Sequence, residues 1–334
     1  MIKPLSFSTA LFALITFAPA VAAAELPTWA FPQAPAPAPR PPAAPGTPPV
    51  VRAPRPPDTT PIKMPGTAIT LTREQLRAHG PVVPDWHPDE HPAMPDIVSK
   101  GREPQVWACA YCHLPNGAGR PENASIAGLS ANYIKQQVLA FKNDERPGAH
   151  SNRGPQNNMI LIGKAATDED VGPAAEYFAK LKPQTFMKVV EAETVPKTIV
   201  VGAILAKAPG GGTEPIGNRI IEVPEELERF ENRDSRTPYE VYVPVGSLKR
   251  GAELVLTGAG KTQACILCHG PELKGLVDVP RLAGRSPSYL MRQLYDVKNG
   301  TRTGLATALM KVVVANLTDD DMLAISGYLA SREP

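Results

Sequence analysis

Two strings, Cys109-Ala110-Tyr111-Cys112-His113 and Cys265-Ile266-Leu267-Cys268-His269, hold the reactive chemistry of this chain. Each is a Cys-x-x-Cys-His, the spacing that attaches a c-type haem. Two thiols three positions apart, on a tight turn entering a helix, can each add to one vinyl group of the same porphyrin. The adjacent imidazole then falls under the iron as its proximal ligand. The strings use all four cysteines of the chain. None is left for a disulfide, a free thiol or a thiolate iron ligand. Two covalently attached c-type haems are the cofactors to expect.

A structural zinc site is the rival reading. Zinc-binding Cys pairs usually recur roughly 15–20 residues apart. Here they lie 156 positions apart, and each is followed directly by His. Paired disulfides fit less well, because two residues between half-cystines leave little room for unstrained geometry.

The chain also repeats itself. An offset of 156 carries Cys109, Cys112 and His113 onto Cys265, Cys268 and His269. It also carries Gly128 to Gly284, Tyr133 to Tyr289, Gln137 to Gln293, Lys142 to Lys298, Asn143 to Asn299 and Arg146 to Arg302. The apolar stripe Ile134, Val138, Phe141 becomes Leu290, Leu294, Val297 at helical spacing. Past the arginines the offset falls to 151, so the first copy carries five extra residues. Met159 then maps to Met310, Thr167 to Thr318, Asp168 to Asp319 and Tyr177 to Tyr328. Thr167-Asp-Glu-Asp and Thr318-Asp-Asp-Asp each start a last helix, with a hydroxyl at the cap and carboxylates in the first turn. Tyr177 and Tyr328 lie on the apolar faces of those helices as packing residues.

Met159 and Met310 are the candidate distal iron ligands, 46 and 41 residues after their histidines. A thioether is a soft ligand that favours Fe(II) and raises the reduction potential while closing the sixth position. The repeat selects this pair. Met291 aligns with Lys135, Met187 falls beyond the repeat, and Met322 lies inside the final helix, so these read as packing residues. His150, in the extra loop, is a competitor for the first iron. Copy one has Ala124 where copy two has Pro280, which suggests different tuning of the two irons.

Around these copies, residues 1–24 read as a signal peptide: Lys3, an apolar stretch from Leu5 to Phe17, then Ala22-Ala23-Ala24 before the cut. An uncleaved anchor is the alternative. Residues 25–66 contain 15 prolines and read as an extended tether. Residues 67–96 form an extension packing on the first haem domain, with a short helix from Leu71 to His79 announced by Thr72 and Gln75. Within it, Asp85-Trp-His87-Pro-Asp89-Glu90-His91-Pro could suggest a metal, but Pro88 and Pro92 favour a turn-rich packing segment. The first domain then spans 97–182, a connector 183–245 and the second domain 246–334. The connector strings Thr198-Ile-Val-Val, Arg219-Ile-Ile-Glu-Val and Tyr239-Glu-Val-Tyr-Val read as partly stranded. A net charge of +2 gives no reason to expect nucleic acid.

On the two motifs, the two methionines, Leu282-Ala283-Gly284 and Tyr289-Leu290-Met291-Arg292-Gln293-Leu294, the chain resembles the two-domain dihaem cytochromes c, the cytochrome c4 group. The resemblance covers Ile97 to Lys182 and Gly246 to Ser331. It implies a mainly α fold of two class I cytochrome c domains in tandem, and periplasmic electron transfer without substrate chemistry. It implies redox protein partners: a dehydrogenase, a quinol-oxidising complex or a terminal oxidase, with peripheral membrane association through them. It also implies that Pro280 accepts from His269. The proline-rich leader, the extra loop and the long connector depart from the family pattern. They leave open a cytochrome subunit of a periplasmic dehydrogenase complex. An enzyme, a dihaem peroxidase or thiosulfate-oxidising cytochrome, fits less well because no spare cysteine exists for an alternative ligand.

Overall fold

A computed structural model describes residues 26–34, 56–77, 82–150 and 152–334. The expected signal peptide and most of the proline-rich leader lie outside them. Among the described residues no helix is long and apolar enough to cross a membrane.

The leader does not behave wholly as a tether. Trp29, Ala30 and Phe31 are buried in the core of the second copy, with the Phe31 ring edge-on to Tyr295 at 5.7 Å. This window is apolar, and the surface it needs is supplied by residues far away in sequence. Further on, β1 (Pro61–Lys63) and β2 (Thr70–Thr72) form an antiparallel hairpin. The helix expected from Leu71 is therefore absent. Thr72 and Gln75 do exchange the reciprocal bonds of a capping box, at 2.7 and 3.3 Å. Strand pairing of Thr72 with Pro61 claims the backbone before it, and residues 73–77 form turns. Ile62, Met64, Leu76 and Trp86 pack together beside the hairpin.

The first copy comprises α1 (Asp96–Ser99), α2 (Cys109–His113), α3 (Ala131–Lys142), α4 (Gly154–Ala165) and α5 (Asp168–Lys180). Its core gathers Leu129, Ile134, Ala174, Ala175, Tyr177 and Phe178. The connector follows as β3 (Met187–Glu191), β4 (Thr194–Pro196), β5 (Thr198–Val201), β6 (Ile204–Lys207), β7 (Thr213–Pro215), β8 (Ile221–Pro224), α6 (Leu227–Glu231) and β9 (Tyr239–Val243). Strand β9 is central, parallel to β3 and antiparallel to β8. Strands β4–β7 and β5–β6 pair separately. The second copy comprises α7 (Ser247–Thr257), α8 (Ile266–His269), α9 (Pro287–Lys298), α10 (Leu305–Val314) and α11 (Asp319–Ala330).

The connector is not a passive spacer. Val241 and Val243 of β9 belong to the core of the second copy. At its other end Asn116 of the first copy donates to the Ser235 carbonyl at 3.3 Å. The fold is thus mainly helical, two cytochrome-like helical copies joined by a partly stranded connector that touches both.

Both last helices start as their sequences announce. Thr167 with Asp170, and Thr318 with Asp321, each complete a reciprocal capping box. Asp170 accepts from Arg102, and Asp321 from Arg250 and Lys261. These bonds hold both carboxyls below the usual range, against the opposing effect of burial.

Candidate haem sites

Each attachment string folds into a short helix whose first turn presents the thiols and whose last residue is the imidazole. The loop after it returns the same way in both copies. Gly119 N–H donates to the His113 carbonyl at 3.0 Å, and Gly275 N–H to the His269 carbonyl at 2.9 Å. Gly117 and Leu273 hold equivalent left-handed turn positions (φ 68° and 61°). Glycine adopts that conformation freely; leucine does so at a cost of about 1–2 kcal/mol.

The imidazoles are oriented by main chain. His113 Nδ1 lies 2.8 Å from the Ala124 carbonyl, and His269 Nδ1 lies 2.7 Å from the Pro280 carbonyl. A carbonyl only accepts, so Nδ1 carries the proton in both rings and Nε2 keeps its lone pair for a metal. Burial pushes both imidazoles below their usual pKa, which keeps them neutral. Ala124 and Pro280, which differ in side chain, serve the two imidazoles alike at this contact. The acceptor is backbone, and the two distances match.

The thiols sit where they would be consumed. Burial pushes Cys109 up to about 12 and Cys265 up to about 11. No group of three or more His, Cys, Asp or Glu able to hold a metal ion occurs among the described residues. The zinc reading thus finds no ligand set. The Asp85–Pro92 cluster is likewise spent on packing. His87 Nε2 bonds Asp234 at 2.9 Å, His91 bonds Asp85, and Arg236 donates to Glu90.

Beside α2 lies a cavity partly continuous with solvent. Cys109, Cys112, His113 and Met159 all line it. His150 does not. Met159 projects from α4 and Met310 from the equivalent α10, where it packs against the core of the second copy. Met291 and Met322 are fully buried in that core, as packing residues should be.

The wall opposite α2 includes residues that sequence reasoning gave no role. Arg146 and Arg153 from the first copy line the cavity together with Arg285, Tyr289, Arg292 and Gln293 from the second. Burial, and then the neighbouring Arg292, push Arg153 down to about 8. Burial raises the Tyr289 phenol, but Arg285, Arg146 and Arg302 outweigh it and hold the phenol at about 8. Several guanidinium nitrogens here are buried without a partner: Nε of Arg146, Nε and Nη2 of Arg153, and Nε of Arg285. Buried cationic donors of this kind call for carboxylates. The two propionates of a haem are of that chemistry, so the cavity fits the group in thiols, imidazole and charge.

The two copies meet across the same cluster. Arg146 donates to Gln137 at 3.0 Å and Gln293 at 2.8 Å. Arg302 donates to Gln293 and Gln137, both at 2.9 Å. Each arginine thus bridges both glutamines, in a pseudo-twofold exchange. The repeat had already paired Gln137 with Gln293 and Arg146 with Arg302; that polar residues recur in both copies was the visible signal of this interface.

Comparison with known proteins gives a consistent picture. No family model matches the chain. A protein named thiosulfate dehydrogenase electron acceptor, from Thiomonas intermedia, is 26% identical over 234 residues, covering 69% of this chain and 80% of that protein. Cytochrome c4 of Azotobacter vinelandii is 25% identical over 226 residues, covering 66% and 82%. Cytochrome c-554(548) of Halomonas halodenitrificans is 35% identical over 77 residues, covering 23% of this chain and 93% of that protein.

Proposed function

We propose that this chain, which belongs to the c-type cytochromes as a dihaem, cytochrome c4-like member, carries single electrons between periplasmic redox proteins. It carries two covalently attached c-type haems, and electron transfer is the role its relatives support. Bound haem supplies a one-electron Fe(III)/Fe(II) couple. The chain's own groups determine how that couple is used. Cys109 and Cys112, and Cys265 and Cys268, would tether the porphyrins, and His113 and Met159, and His269 and Met310, would supply the iron ligands.

One observation carries this reading: both imidazoles donate Nδ1 to a fixed carbonyl, at 2.8 and 2.7 Å, directly beside the paired cysteines of their attachment strings. Methionine closure keeps small substrates from the iron and favours the reduced state. The oxidised protein should therefore show the weak near-infrared band of methionine–iron ligation. Met159→Ala and Met310→Ala should each remove about half of it. High-spin iron at either site, with reaction toward peroxide, would sink the reading.

The partner follows from the names of two relatives as electron acceptors of a thiosulfate dehydrogenase. A periplasmic dehydrogenase is the donor we favour, and tight co-purification with one would make this chain its cytochrome subunit instead. The buried leader segment and the connector, which the family pattern does not require, favour a dedicated partner.

A further inference from the structure

Equivalent residues of the two attachment loops are covered very differently. Cys112 is half-buried, whereas Cys268 is exposed. Tyr111, between the first pair of thiols, lies under the Arg233 guanidinium at 3.4 Å from its ring centroid, and its carbonyl accepts from Arg233. Its counterpart Leu267 is 67% exposed. Arg120 is buried, with its guanidinium 3.7 Å over the Phe230 ring, while its counterpart Leu276 is 48% exposed. Pro121 is buried; its counterpart Val277 is 93% exposed.

The cover on Tyr111 and Arg120 is the α6 region of the connector, clamped from outside, while the Pro121 carbonyl accepts from Arg292 and Ser288 of the second copy. Trp86 Nε1 donates to the Asn232 carbonyl at 2.7 Å, and the wholly buried Asp234 carboxylate is shared by His87 and Arg229. The exposed rim on the second loop carries an independent oddity. Val277 stands at φ 52°, the left-handed region that a β-branched residue rarely enters. An apolar, strained residue displayed to solvent on the loop that follows the exposed Cys268 marks a rim held for use.

The thioether sulfur is bonded to the porphyrin edge, so its exposure reports the exposure of that edge. Resting on the electron-carrier reading above, we propose that the connector closes the first haem's thioether edge. Both electrons then enter and leave the molecule at the Leu267–Leu276–Val277 rim of the second. The Arg146–Gln293 and Arg302–Gln137 bridges hold the two copies together for the internal passage. The chain is thus a one-port store for two electrons.

The test uses the full reduced protein and hexacyanoferrate(III), two ions of which each take one electron and become hexacyanoferrate(II). Val277→Asp adds an anion to the rim in a conformation that aspartate tolerates better than valine. Like-charge repulsion should slow loss of both electrons by the same factor, about fivefold at low ionic strength, and the effect should fade with salt. In that background Phe230→Ala with Arg233→Ala should restore fast loss of one electron. A Val277→Asp variant that slows only one electron, or neither, overturns the proposal. An optical-independent readout is broadening of the paramagnetically shifted haem resonances by a soluble gadolinium chelate. One of the two sets should broaden in the natural protein and both in the Phe230→Ala, Arg233→Ala variant; equal broadening in the natural protein overturns it. Loss of the near-infrared methionine band would indict the ligation reading instead, and leaves these two readouts standing.

Discussion

The two copies agree in backbone and differ in surroundings. In each, a Ser cap opens the middle helix (Ser130 and Ser286), a capping box opens the last (Thr167 and Thr318), and a carbonyl eleven positions on receives the imidazole. These features are set by contacts within a few residues, so a duplicated sequence reproduces them. Burial of the attachment loop is set by segments outside the repeat, the connector and the extension before α1, and those touch the copies unequally. Two sites with one local geometry therefore face solvent differently. The largest test of their local equivalence is removal of one site at a time. Cys109→Ala with Cys112→Ala, or Cys265→Ala with Cys268→Ala, should each reduce covalent haem from two to one per chain by intact mass. If either pair abolished both, the copies would not be independent attachment sites.

The next largest effect sharpens the difference in cover. Asp234 is fully buried and holds His87, Arg229 and the Arg236 N–H in one cluster. Asp234→Asn keeps the shape but strips the charge that pairs Arg229, and leaving a buried cation without its partner costs about 3–5 kcal/mol. Chemical denaturation should record that loss, and limited proteolysis should cut first within 227–237 rather than within α7–α11. Cleavage confined to the second copy would mean that α6 does not depend on this clamp.

A smaller effect separates the last helices. Asp321 serves two cations, Arg250 and Lys261, where Asp170 serves one, Arg102. Both carboxyls are depressed when folded, so their contribution is present above the unfolded carboxylate value and lost as pH falls through the folded one. Asp321→Asn should lower stability at neutral pH by about 1 kcal/mol more than Asp170→Asn, since the cations are partly exposed and screened. The gap should close in acid, as thermal melting across pH would reveal.

How much of this was visible in the sequence follows from how local each cause is. The thiols, imidazoles, caps and helical stripes depend on neighbours within about a turn or two, and each is found where the spacing put it. The pairing of β3 with β9 joins Met187 to Tyr239 across the whole connector, so strand strings were readable but their partners were not. Trp29 and Phe31 were hidden by the prolines around them, because burial is decided by the receiving surface. The Leu71 helix failed for the same reason: a correct capping box, Thr72 with Gln75, was overridden by strand pairing with Pro61–Lys63 across the turn at Gly66. Arg153 and Arg285 lacked any pattern, and Arg292 stood only within a family string, since their meaning arises only when two copies face each other across one cavity.

The smallest effect returns to the unequal cover. His91 meets Tyr177 of α5 edge-on at 6.3 Å and is bonded by Asp85, whereas the equivalent Tyr328 of α11 lies under Arg332. The hydrogen bond to Asp85 raises the His91 pKa, with burial opposing it. A raised folded value means that the clasp stabilises fully below the unfolded imidazole value, about 6.5, and is lost as pH rises through the folded value. His91→Gln should therefore lower the melting temperature at mildly acidic pH, by an amount corresponding to less than about 1 kcal/mol, and leave it unchanged in alkali. Arg332→Gln, on the second copy, should show no such pH dependence over the same range, because a guanidinium stays charged throughout. Equal pH profiles for the two variants would show that the acid-side clasp is not what distinguishes the last helices.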